Sequence, residues 1–284
     1  MELSMLHCPA PAKLNLFLHV TGRRADGYHL LQTAFQLIDY CDTLDFTVRA
    51  DGTIRRCNDV AGVPEGSDLI VRAAKLLQSH TGCTLGADLT LHKKLPMGGG
   101  IGGGSSDAAT TLIVLNHLWQ TGLSRAELQQ LGLQLGADVP FFIFGTNAFA
   151  EGVGELLQAI ETADCWFVVI EPGVQVPTPA IFSAKELTRD TKPIRITDFS
   201  SHLKMFGKND LQAVASALFP PVDAAIKWLS TYGEARMTGS GACVFCAFAD
   251  EISAEEALQQ VPDRWKSWKA KALHKHPLDY LMQT

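Results

Sequence analysis

An α+β fold is predicted by three observations along the chain. Apolar residues alternate with a period of two in the first third. A segment of helical periodicity follows, and a strand then leads through a glycine loop into an apolar helix. Taken in order, Leu14, Leu16, Leu18 and Val20 share one face of a period-2 segment, and Leu44, Phe46 and Val48 repeat the pattern. Residues 68–78 read as a helix and residues 87–93 as a strand that ends at the glycines. Residues 108–119 form the largely apolar helix beyond them. Ser124 and Glu127 have the spacing of a capping box at the head of a helix over 124–135. Composition shifts near Glu161, which divides the chain into 1–160 and 161–284. Beyond it, residues 165–170 read as a buried strand and residues 172–179 as a proline-punctuated loop opening a helix. Residues 210–218 and 222–232 are amphipathic helix candidates, followed by a Gly-Ser-Gly turn and a last strand.

Residues 95–107 read Leu-Pro-Met-Gly-Gly-Gly-Ile-Gly-Gly-Gly-Ser-Ser-Asp. Glycines admit φ > 0 and let backbone N–H groups approach a ligand that a Cβ would hold away. At a helix N-terminus, free N–H groups and the dipole favour an anion, so the run reads as a phosphate cradle. It is not a P-loop, because no lysine follows the glycines; Gly207-Lys208 is followed by Asn209. Gly98, Gly100 and Gly103 match the dinucleotide fingerprint formally, but a run this rich in glycine matches it almost by chance. The acidic strand end required about 20 residues later is replaced by the helical pattern of 124–135.

Length and composition narrow the classes. A chain of 284 residues with 46% hydrophobic content can bury a substantial core. Its net charge of −6 argues against a nucleic-acid partner. Seven cysteines at irregular spacing do not form a disulfide framework. Cys243 and Cys246 have C-x-x-C spacing, but in a strand they face opposite ways, so core packing is the better reading. Neither a signal sequence nor an 18-residue apolar span occurs, so a reducing cytoplasm and no membrane partner are expected.

Several charged and polar residues stand where their type needs a reason. Lys93 and Lys94 precede the cradle closely enough to reach phosphates, or are a solvated pair on an edge strand. Asp138 lies between apolar segments, either as a general base or as the cap of a turn before Pro140. Lys13 interrupts an apolar segment as a functional charge or as edge-strand protection, and Asn15 projects to the same face. Tyr28 and His29 follow the turn sequence Arg-Ala-Asp-Gly, a setting that is more often structural. Ser105, Ser106 and Asp107 read as caps of the following helix, with Ser106 also suited to touch Mg²⁺. No metal ligand is assigned.

Three blocks in fixed order resemble the GHMP kinases, small-molecule kinases whose three motifs surround one ATP and substrate site. The first is Pro-Ala-Lys-Leu-Asn from Pro11, followed by Asp-Gly-Tyr-His from Asp26. The second is the glycine block, and the third is Met-Thr-Gly-Ser-Gly from Met237. Gly-Ala-Asp-Val-Pro around Asp138 and Glu-Gly-Val-Gly-Glu from Glu151 strengthen the likeness, which runs from about residue 8 to residue 248. Asp107 stands where asparagine is equally familiar in the family.

The resemblance implies two lobes with the active site in the cleft between them, an N-terminal ATP-binding lobe (1–160) and a C-terminal lobe (161–284). It further implies Mg-ATP as phosphoryl donor, held by Lys93, Pro96, Met97, Gly98, Gly99, Gly100, Ile101, Gly102, Gly103, Gly104, Ser105 and Ser106. The acceptor it implies is cytidine-diphosphate-linked methylerythritol, phosphorylated on its 2-hydroxyl in isoprenoid precursor synthesis. Asp138 would take the acceptor proton, with Lys13 as its electrostatic partner. Asn15, Tyr28, His29, Val153, Thr178 and Phe182 would bind the substrate, with aromatic rings stacking on the cytosine. The chain would act as a monomer or homodimer. The rival readings are another small-alcohol kinase of the family, of homoserine or mevalonate type, and a non-catalytic nucleotide or sugar sensor. An oxidoreductase is a more distant rival.

Overall fold

A computed structural model describes residues 3–201 and 207–282. Strands β1 (Ser4–Arg23) and β2 (His29–Arg49) form a long antiparallel hairpin. Its register slips between Met5 and Cys8, Pro11 and Ala12, Asn15 and Phe17, and Val20 and Gly22. The slip between Asn15 and Phe17 shifts the pairing by one residue and breaks the two-residue alternation of faces between Leu14 and Leu18. The single apolar face expected from Leu14 to Val20 therefore does not persist. Leu14 packs with Ile38 and Phe167, whereas Leu18 and Val20 pack with Val168 and Ile170. The middle of β1 is buried on both sides, and Lys13 (3% exposed) and Asn15 (2%) are buried with it. Edge-strand protection is thereby excluded for Lys13.

Strand β2 is the hub of the sheet. Besides β1 it pairs with β4 (Gly86–His92), β5 (Ala148–Glu151) and β10 (Lys266–Leu273). Strand β3 (Ile54–Arg56) runs parallel to β4, and β6 (Leu156–Ala159) is antiparallel to β5. Strand β10 continues the sheet to β7 (Trp166–Glu171), β9 (Val244–Phe248) and β8 (Arg236–Met237).

Two main cores flank this sheet. The first contains α1 (Leu69–Thr81), α2 (Gly103–Leu118), α3 (Arg125–Leu133) and α4 (Val139–Phe144) against β1, β2 and β4. Helix α2 buries Ala108, Leu112, Ile113, Val114, Leu115 and Leu118, as expected of a helix apolar all round. Each of its larger aliphatic side chains contributes about 1.5–3 kcal/mol of transfer free energy. The capping box of Ser124 and Glu127 is formed at the head of α3. The second core contains α5 (Thr178–Ser183), α7 (Gln212–Leu218), α8 (Pro220–Leu229) and α9 (Glu251–Gln259) over β7, β8 and β9. Between α5 and α7, α6 (Ile196–Ser201) brings Phe199 against Phe17 and Phe149. Leu278 returns to the first core, and Arg125 donates to Asp279 Oδ1 across 2.9 Å.

Cys243 and Cys246 point into different cores, as the strand alternation requires. Burial pushes both thiols above their ordinary range, Cys246 to about 11. Among the described residues there is no group of three or more His, Cys, Asp or Glu able to hold a metal ion. No helix among them is long and apolar enough to cross a membrane.

Candidate active site

The glycine loop lies between β4 and α2, pressed against β1 on one side and the third sequence block on the other. The Lys13 N–H donates to Ile101 O at 2.9 Å, and the Cys243 N–H donates to Gly99 O at 3.0 Å. Gly100 and Gly102 have φ of 74° and 75°. A Cβ on Gly100 would lie 2.2 Å from Thr238 O. One on Gly102 would lie 2.8 Å from the Phe142 ring and 3.2 Å from Lys13 Cε. Only glycine lets the backbone pass between these groups in that conformation.

Helix α2 starts at Gly103, five residues before the predicted start, with Gly102 at its N-cap and no side-chain cap. Ser105, Ser106 and Asp107 therefore stand in its first turns and do not cap it. The free N–H groups of that turn open onto the loop, as a phosphate cradle requires.

Cavities lie on the two sides of the loop. The first, of about 900 Å³, is lined by Lys13, Asp138 and every residue expected to bind substrate: Asn15, Tyr28, His29, Val153, Thr178 and Phe182. The second, of about 420 Å³, is lined by residues 96–105 together with Lys93, Asp107, Val60 and Val63. Gly98, Gly100, Gly102 and Ser105 belong to both walls. Of the expected loop residues, Ser106 lines neither cavity. It is fully buried, and its hydroxyl has no partner among the described residues.

Lys13 Nζ lies 3.3 Å from Asp138 Oδ2, and it donates to Asn15 Oδ1 at 2.6 Å. The same ammonium sits over the Phe35 ring, 5.2 Å from its centroid, a position favoured by the ring quadrupole. Asn15 Nδ2 in turn donates to Thr33 Oγ1, and Thr238 Oγ1 accepts from the Asn15 N–H, both at 2.9 Å. Asp138 is at the N-cap position of α4 but makes no side-chain cap, which leaves its carboxylate one-third exposed on the first cavity.

Lys93 is held differently. Its ammonium binds Asp42 Oδ2 and Asp107 Oδ2, the latter at 2.8 Å. Asp42 also accepts the N–H groups of Lys94 and Leu95 at the entrance to the loop. Burial opposes the charge on Lys93, but Asp107 and Asp42 outweigh it and raise its pKa. Burial pushes the Asp107 carboxyl well above the usual carboxylate range, against the pull of Lys93. The Lys94 side chain points elsewhere; its ammonium lies 4.0 Å from the Tyr40 ring centroid.

Tyr28 and His29 follow the turn between β1 and β2, where the Tyr28 N–H donates to Asp26 Oδ1. Tyr28 is 65% exposed, and His29 packs on Phe182 with ring centroids 4.9 Å apart. Burial, then Arg189 and Arg23, hold the His29 imidazole below its ordinary range. Thr178 and Ser240 share a hydrogen bond of 2.7 Å that joins α5 to the third block.

Asp42, Thr238 and Arg189 were not singled out from sequence. Asp42 is a carboxylate in β2, but with Asp39 and Asp45 three residues to either side the segment shows no single polar face that would set it apart. Thr238 lies within a block that was recognised for its glycines. Arg189 lies in a polar connection with no local pattern.

Comparison with known proteins agrees with this arrangement. The family model described as GHMP kinases N terminal domain matches residues 68–146, and that described as GHMP kinases C terminal matches residues 183–267. The chain is 68% identical to 4-diphosphocytidyl-2-C-methyl-D-erythritol kinase of Janthinobacterium sp. (strain Marseille), covering 100% of both chains. It is 67% identical to the protein of the same name from Herminiimonas arsenicoxydans, covering 99% of each. A crystal structure of 4-(cytidine 5'-diphospho)-2C-methyl-D-erythritol kinase matches with a TM-score of 0.80 and 32% identity, over 95% of this chain and 98% of that one. A homoserine kinase from Cytophaga hutchinsonii shares the fold at a TM-score of 0.71 and 15% identity, over 97% of this chain and 96% of that one. With both halves matched by the family models and full-length relatives this similar, the chain belongs to the GHMP kinases.

Proposed function

We propose that the chain transfers the γ-phosphoryl group of ATP to the 2-hydroxyl of 4-diphosphocytidyl-2-C-methyl-D-erythritol, with Asp138 as general base. The observation that carries this reading is the shared wall. A cavity holding a lysine–aspartate pair and a second cavity meet across one glycine loop, so donor and acceptor can face each other over it. Phosphoryl transfer asks the protein mainly to position the two reactants and to offset developing charge. Asp138 Oδ2 accepts the hydroxyl proton as the oxygen attacks. Lys13, buried and 3.3 Å away, offsets the negative charge growing on that oxygen. Asn15 fixes the ammonium, and the N–H groups of the loop and of α2 receive the phosphates. The aromatic wall of Tyr28, His29 and Phe182 is the part suited to a cytosine ring. In this reading the N-terminal lobe, divided from the C-terminal one near residue 160, carries the ATP.

Magnesium fits the donor side. The Ser105 hydroxyl and the Asp107 carboxylate are oxygen donors on the wall of the second cavity, and Asp107 Oδ1 is buried without a partner among the described residues. When bound there, the ion neutralises charge on the phosphates.

ADP release measured with ATP and the cytidyl substrate, beside homoserine and mevalonate, tests the assignment. Turnover with the cytidyl substrate alone is expected. Turnover with another alcohol would keep the kinase and remove the aromatic-clamp argument. ATP binding without turnover on any alcohol would favour the sensor.

A further inference from the structure

Arg189 makes four hydrogen bonds, each to a group of the first cavity's wall or of the segment behind it. Nε donates to His29 Nε2 at 3.1 Å, and one terminal nitrogen donates to Leu187 O at 3.0 Å. The other terminal nitrogen donates to Phe182 O at 3.0 Å and Ala184 O at 2.7 Å. A guanidinium has donors only, so the imidazole nitrogen facing it must offer its lone pair. Neutral His29 then carries its proton on Nδ1, and that N–H is the group left to meet a ligand in the cavity that His29 and Phe182 line. A second proton would place N–H against N–H at Nε2, beside the charges of Arg189 and Arg23.

We propose that Arg189 is a positioning residue that locks His29 in the Nδ1–H tautomer and so makes the site select cytosine over uracil in the acceptor nucleotide. This rests on the cytidyl acceptor proposed above. Cytosine offers a lone pair at N3, which an Nδ1–H can satisfy. Uracil carries a hydrogen there, which would leave two donors opposed and desolvated. The same guanidinium holds the Phe182 and Ala184 carbonyls, so it sets the stacking wall and the hydrogen-bonding edge together.

The test has two readouts. Long-range proton–nitrogen correlation spectra of the ¹⁵N-labelled full chain near neutral pH, with His29→Gln to identify the signal, report the tautomer directly. The wild type is expected to be Nδ1–H, and Arg189→Met a mixture; an Nε2–H or doubly protonated ring in the wild type would overturn the proposal. In parallel, kcat/KM is measured for the cytidine- and uridine-diphosphate forms of the acceptor. Arg189→Met is expected to reduce the cytosine preference at least about ten-fold. Phe182→Ala, which loosens the same wall without touching the nitrogen, should raise KM for both forms and keep the preference. An equal loss on both bases in Arg189→Met would reduce Arg189 to a structural brace and overturn the selection. Turnover with neither form would overturn the cytidyl reading and the selection with it, while the spectra would still judge the tautomer.

Discussion

Two lysines flank the glycine loop, one paired with a single aspartate and the other with two, and they differ in where the carboxylates end up. On the side of the first cavity, Asp138 is one-third exposed and shares Lys13 with Asn15 and the face of Phe35. On the donor side, Asp42 and Asp107 are almost fully buried and enclose Lys93 from two directions. A carboxylate that keeps access to solvent and ligand can receive a proton from a substrate. One whose oxygens already bind an ammonium and two backbone N–H groups is committed to holding the chain in place. In the proposed reading the Lys13–Asp138 pair does chemistry and the Lys93–Asp42 pair is scaffold, and the exposure of the carboxylate separates the two. Lys93 remains on the wall of the second cavity, so in the proposed reading it faces the nucleotide while it anchors the loop.

This contrast can be broken at its strongest point first. Lys13→Met should lower kcat by about 10²–10³-fold, because charge on the attacking oxygen is no longer offset by the buried ammonium. The melting temperature should change little. Steady-state kinetics and calorimetry on one preparation check both halves.

A smaller effect separates the two flanks by pH. His29 sits below its ordinary value of 6.5, so it is neutral at physiological pH and gains its proton only on further acidification. KM for the acceptor should therefore be flat from pH 8 down to about 6.5, then rise toward ten-fold per pH unit once the His29 pKa is passed. Lys93 sits above its ordinary 10.5, so its charge persists on the alkaline side. KM for ATP should show no loss attributable to Lys93 up to about that pH. An acceptor KM already rising above pH 7 would remove His29 from the acceptor wall.

Much of this site was legible because its residues break a pattern. Lys13 and Asp138 are charges in apolar surroundings, and the glycine run has no role in a helix or strand. Val153, Thr178 and Phe182 carry no such signal. They entered only through the resemblance to the family, and they line the same cavity as His29. The strand-and-helix content of the first third was legible from periodicity, but the slips in β1 were not. A bulge is set by what packs on both faces of a strand, and neither neighbour is visible in the local sequence. Asp42 and Arg189 stayed hidden for a related reason, since their partners are backbone groups and residues distant in the chain.

The most direct measurement compares Asp138→Asn with Asp42→Asn, recording single-turnover phosphoryl transfer and thermal unfolding for each. Asp138→Asn should lose about 10²–10⁴-fold in rate and unfold like the wild type. Asp42→Asn should be destabilised by about 3–5 kcal/mol, since it breaks a buried ion cluster, while its folded fraction keeps most of the rate. The opposite pattern, with the rate lost at Asp42 and stability lost at Asp138, would contradict the division of labour across the loop.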